Sequence, residues 1–82
     1  MSRVETLLVF TADGCPHCRA ALADLDRRHV RYREVNLSRE PDEIERLRSL
    51  CPDPRLPVFL DHERVSVGFR GGSSSLAELG LD

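Results

Sequence analysis

An α/β fold, with its first two strands parallel and helices on both faces of the sheet, is predicted by three observations. Apolar strand-like runs alternate with segments of helical period in the order βαβ, then α, then ββα. The first βαβ unit is long enough for a right-handed crossover between parallel strands. The chain has 82 residues, enough for one modest core, so residues 1–82 read as a single small domain.

The elements follow in order. Val4 to Phe10 reads as a buried strand, because Val4, Leu7, Leu8, Val9 and Phe10 are branched or large and apolar. Thr11-Ala12-Asp13-Gly14 breaks the run and reads as a loop. A helix begins near Cys15, with Pro16 in its first turn, where a missing N–H costs nothing. Cys18, Ala21, Leu22, Leu25 and His29 share one helix face, which makes His29 a packing or capping residue. Arg19, Asp24, Asp26, Arg27 and Arg28 make up the polar remainder. Val30 to Leu37 alternates polar and apolar residues and reads as a second strand.

A second helix enters at Pro41, turns Ile44, Leu47, Leu50 and Cys51 inward, and ends at Pro52 and Pro54. Leu56 to Leu60 and Arg64 to Phe69 read as two further strands joined by a hairpin at Asp61-His62-Glu63. Arg70 to Ser75 reads as a polar turn. Ser75 with Glu78 three later forms a capping box for a last short helix carrying Leu76 and Leu79.

Composition removes several function classes. The 12 basic residues, all arginine, nearly balance 14 acidic ones, and no basic tract is present, so nucleic acid is not an expected partner. Met1 to Phe10 carries Arg3 and Glu5 and reads as neither a signal peptide nor a membrane span. Three cysteines, an odd number, favour a working pair in a reducing, cytoplasmic setting over a stapled secreted framework.

That pair is Cys15 and Cys18, with Pro16 and His17 between them. Residues i and i+3 at a helix start lie one turn apart, near the Cα separation of about 5.5 Å that a disulfide prefers. Cys15 falls where the first helical N–H groups point, which favours a thiolate. Cys18 lies a turn deeper, where desolvation favours the neutral thiol. Cys15 therefore reads as the nucleophile and Cys18 as the resolving thiol, with His17 tuning the pair. A zinc-binding module built on Cys15, Cys18 and Cys51 is the alternative of another class. Cys51 otherwise reads as a buried residue at a helix end, or as a third redox thiol, since Leu56-Pro57 is only five residues on.

Three signals in this order resemble a glutaredoxin: Phe10-Thr11 through Cys15-Pro16-His17-Cys18, then Leu56-Pro57, then Gly71-Gly72. The resemblance spans nearly the whole chain. It implies a thioredoxin-like fold of order βαβαββα, a four-stranded mixed sheet flanked by three helices. It implies a cis Pro57 facing the disulfide, and a groove lined by Leu56, Pro57, Gly71, Gly72 and Ser73. In that groove the backbone of Leu56 pairs with substrate, and Gly71-Gly72 allows close approach. It further implies a thiol-disulfide oxidoreductase acting on protein disulfides or glutathionylated proteins, with a monomer as the default state. Glutathione is then a co-substrate, and no cofactor is tightly bound.

The chain also departs from that pattern. Ala12 stands where glutaredoxins commonly carry lysine, and His17 where they carry tyrosine. Ser73, Ser74 and Ser75 offer hydroxyls but no carboxylate after the glycines, and Arg48 and Arg55 are the candidates to replace the lysine. Ser66-Val67-Gly68-Phe69-Arg70 is similar to the corresponding region of NrdH-type redoxins, which implies thioredoxin reductase as an alternative electron source.

Overall fold

Large and branched side chains at Leu8–Thr11 make the central strand, β1, of a computed structural model that describes residues 7–61 and 64–81. The chain continues through α1 (Pro16–Arg27), β2 (Arg33–Asn36), α2 (Glu43–Leu50), β3 (Arg55–Leu56), β4 (Val58–Asp61), β5 (Arg64–Val67) and β6 (Ser74–Ser75). The main sheet has the order β2-β1-β4-β5. β2 runs parallel to β1, as the crossover through α1 requires, while β4 and β5 are antiparallel to their neighbours. Val4, His62 and Glu63, which carry parts of the expected first strand and hairpin, lie outside the described residues.

Register builds the core. Phe10 stands between Val35 and Val58 on one sheet face, and all three are buried. Leu37, Leu47, Leu56 and Leu76 close around them, together with Ala12, Cys15 and Cys18. Val9 points to the opposite face beside Phe59, its partner in register, and Leu25 of α1 lies near that face.

The expected third strand is split at Pro57. The Leu56–Pro57 bond is cis, and proline has no N–H to donate to a ladder. Arg55 and Leu56 leave the main sheet and pair antiparallel with Ser75 and Ser74. Residues expected to form only a turn thus form a strand.

The first two of the three expected helices form, with two corrections. Leu50 is 43% exposed, because it lies roughly 240° round α2 from Ile44 and off the inward face. Leu47 is fully buried and Ile44 packs against the core as expected. His29 is exposed and off the apolar face of α1, because the helix stops at Arg27. It caps through its backbone instead. Its φ is 59°, its N–H donates to the Asp26 carbonyl (3.1 Å), and the Val30 N–H reaches back to the Leu25 carbonyl (2.9 Å). This is a Schellman ending with histidine where glycine is usual.

The expected last helix is a single turn capped at both ends. The Ser75 N–H donates to Glu78 Oε1 (2.8 Å) and the Glu78 N–H to Ser75 Oγ (3.1 Å), which is the capping box. Gly80 then takes φ 75°, and the Leu81 N–H donates to the Leu76 carbonyl (2.8 Å). Start and stop signals stand so close that no second turn fits between them. Among the described residues, no helix is long and apolar enough to cross a membrane.

His29→Gly tests the first of these endings. A left-handed non-glycine residue costs roughly 1–2 kcal/mol, and glycine gives back about 0.4–1 kcal/mol through the unfolded chain. The substitution is expected to stabilise the protein by about 0.5–1 kcal/mol, a rise of a few degrees in a thermal melt.

Candidate active site

The loop that delivers Cys15 is fixed from β2. The Leu37 N–H donates to the Thr11 carbonyl (2.8 Å), the Asp13 N–H to Ser38 Oγ (3.0 Å), and Asn36 Nδ2 to Asp13 Oδ1 (3.1 Å). Gly14 follows at φ 81°, a turn that glycine makes without strain. Cys15 is then the N-cap of α1, with extended backbone and Pro16 beginning the helix. Its Sγ accepts the Cys18 N–H at 3.2 Å. The sulfur thus fills the place of the serine or aspartate oxygen common at helix starts.

Cys15 and Cys18 are free thiols, 0% and 1% exposed, in one buried cluster with Leu56. Burial pushes the Cys18 thiol far up, and its hydrogen bond with Cys15 and the charge there push it further. A backbone bond from Ala12 opposes the shift, and the Glu34 carboxylate adds to it. Glu34 is held near by Thr11, whose Oγ1 donates to Glu34 Oε2 at 2.7 Å. A cavity of about 540 Å³ lies beside Cys18, lined also by Thr11, Asp13, Glu34 and Arg39.

The other expected site residues divide. Pro16 is exposed on the first turn, and Leu56 and Pro57 are buried. His17 is half-buried, and a Cβ placed on Gly72 would collide with its imidazole. The ring therefore lies against the bare backbone of Gly72. Gly71 is at the outer corner of the turn, φ 79°, with open space around it. Ser73 Oγ accepts from Arg55 Nε at 3.0 Å, and Arg48 lines a cavity with Ser75. Cys51 sits half-buried at the end of α2. Among the described residues no three His, Cys, Asp or Glu side chains converge as a metal site.

Two residues escaped the sequence reading. Glu78, read only as half of a capping box, sets its carboxylate beside Ser75. The Ser75 N–H chiefly holds its carboxyl below the usual range, against opposing desolvation, with help from the Ser75 hydroxyl and the positive charge of Arg55 and His17. Asp24, read as part of a polar face, is buried. It takes Arg27 Nη2 at 2.7 Å, Arg28 Nη2 at 2.9 Å and Arg70 Nη2 at 3.5 Å. Arginines three and four residues on were the visible signal for the first two contacts; nothing local pointed to Arg70.

The Glutaredoxin family model matches residues 7–65. "Glutaredoxin 1" of Rickettsia bellii is 30% identical over 81 residues, covering 93% of this chain and 78% of that protein. The crystal structure of a glutaredoxin from Archaeoglobus fulgidus superposes with a TM-score of 0.72 at 21% identity, covering 82% of this chain and 78% of the other. That likeness bears out the thioredoxin-like α/β fold.

Two outcomes follow from the geometry. Folding favours the protonated Cys18 thiol, so that stabilisation is present below the ordinary thiol value of about 9 and is lost as pH rises above it. The reduced protein is expected to lose melting temperature between about pH 8 and 10 more steeply than Cys18→Ala, followed by circular dichroism. Gly72→Ala is expected to cost about 1–3 kcal/mol in urea unfolding, and His17→Ala added to it to remove most of that cost.

Proposed function

The chain belongs to the glutaredoxin family, and from that premise we propose that it reduces protein disulfides or glutathione mixed disulfides through Cys15 and Cys18. Family membership supports a thiol-disulfide oxidoreductase in general. The observation that carries the finer reading is the asymmetry of the two sulfurs. One caps a helix and accepts an N–H, while the other, equally buried one turn on, is held as a neutral thiol by burial and by its hydrogen bond with Cys15.

In the proposed cycle the Cys15 thiolate attacks a substrate disulfide R–S–S–R′. A Cys15–S–S–R bond forms and R′–S⁻ leaves. The Cys18 thiol then loses its proton and attacks the Cys15 sulfur. The Cys15–Cys18 disulfide forms, and R–S⁻ leaves and takes up a proton. Two electrons pass to the substrate, and an outside thiol must return them. Pro16 starts the helix and His17 shapes the ground between the sulfurs. Leu56 and Pro57, Gly72 and Ser73 wall the groove, with Gly71 at its corner.

Glutathione is the proposed co-substrate. Arg55, oriented by Ser73, suits a carboxylate, and Glu78 suits an ammonium group. Recycling by thioredoxin reductase is the second reading. It is favoured by the His17 ring, which covers the Gly72 face that a glutathione backbone would approach, and by Ala12 in place of lysine. A monomer working in the cytoplasm without tightly bound cofactor completes the proposal.

The test follows NADPH oxidation in two coupled assays, one with glutathione and glutathione reductase, the other with thioredoxin reductase alone. Turnover in the first supports glutathione as donor; turnover only in the second replaces it. Cys15→Ser is expected to abolish activity, and Cys18→Ser to spare reduction of glutathione mixed disulfides. Equal loss in both variants would overturn the division of roles.

A further inference from the structure

Phe69-Arg70-Gly71-Gly72 is a two-residue hairpin turn. The Phe69 N–H donates to the Gly72 carbonyl (2.8 Å) and the Gly72 N–H to the Phe69 carbonyl (2.9 Å). Its central residues have φ 53° and 79°, the type I′ pattern that favours asparagine or glycine at both positions. Arg70 occupies the first of them, so turn chemistry alone does not account for it.

Its side chain does. The guanidinium lies 5.0 Å from the centroid of the Phe69 ring and reaches Asp24 Oδ1 at 3.5 Å, across 46 residues of sequence. Asp24 is itself buried and oriented by Arg27 and Arg28. Seven residues before Asp24, on the same face of α1, His17 leans on Gly72. These two points on the helix are about 10 Å apart. The turn is held a third time where the Gly68 N–H donates to the Pro57 carbonyl (2.8 Å). It therefore ties the helix that carries both thiols to the strand that follows Pro57.

We infer that Arg70 is a positioning residue: by gripping Asp24 it holds the Phe69–Gly72 turn against His17 and sets the groove between α1 and Pro57. This rests on the reading of Cys15 and Cys18 as the exchanging pair. Arg70 touches no reacting atom. It acts through Gly72 and His17, one residue from Cys18.

The test compares Arg70→Gly, Arg70→Lys and Asp24→Asn. Glycine suits the left-handed backbone, so Arg70→Gly is expected to keep the thermal midpoint of the wild type. With a glutathione–peptide mixed disulfide as substrate, its KM is expected to rise about threefold or more, with kcat within about twofold. Arg70→Lys is expected to restore KM to within about twofold, and Asp24→Asn combined with Arg70→Gly to add nothing beyond either alone. An unchanged KM in Arg70→Gly, or an equal rise in Arg70→Lys, overturns the inference. If Asp24→Asn does not fold, the two Arg70 variants decide. The His17 imidazole resonances provide a readout free of turnover. They are expected to move in Arg70→Gly and not in Arg70→Lys, and no movement in either overturns the clasp. A wild type that reduces no disulfide would defeat the proposed function while leaving this spectroscopic test in force.

Discussion

The Cys18 N–H donating to the Cys15 sulfur is the interaction on which the site depends. It exists because β1 ends at Thr11, a short loop turns at Gly14, and α1 starts at Pro16. The first N–H groups of any helix need outside partners. Here a cysteine supplies one, so the group that completes the helix start is itself a thiol. The same helix sets Cys18 one turn on, in the apolar cluster around Phe10 that also holds Cys15. Two identical side chains, both buried, are thereby given different hydrogen-bonding roles by three residues of separation.

The rest of the fold serves to hold other segments against that helix start. Parallel pairing with β2 brings Asn36 and Ser38 to the Asp13 loop. Antiparallel pairing with β4 brings Pro57 to the same end of the sheet as Thr11. Loss of the ladder at Pro57 frees Arg55 and Leu56 to pair with β6, and Ser73 comes with them. Glycine at position 72 then lets an imidazole lie where any other side chain would stand.

The main elements were legible because their signals are local. Apolar runs marked the strands, Pro16 and Pro41 marked helix starts, and Pro52 marked an end. The strand split at Pro57 was not foreseen, because the stretch from Leu56 to Leu60 is uniformly apolar. The last helix was over-read for a related reason. Its capping box was seen correctly, but the stop at Gly80 falls too soon after it. His29 shows the same limit: its spacing fits the apolar face, but the chain leaves the helix first.

By itself the sequence determined the α/β order, the cysteine pair at a helix start and the family to which the chain belongs, since each is written in contiguous residues. Tertiary structure alone decided which distant groups meet them. Asp24 finds Arg70, Glu34 comes beside Cys18, Arg55 reaches Ser73, and His17 lies on Gly72. None of these has a local signature. Their partners are fixed by strand order and register, which arise from the burial of the whole core and not from any one segment's preference.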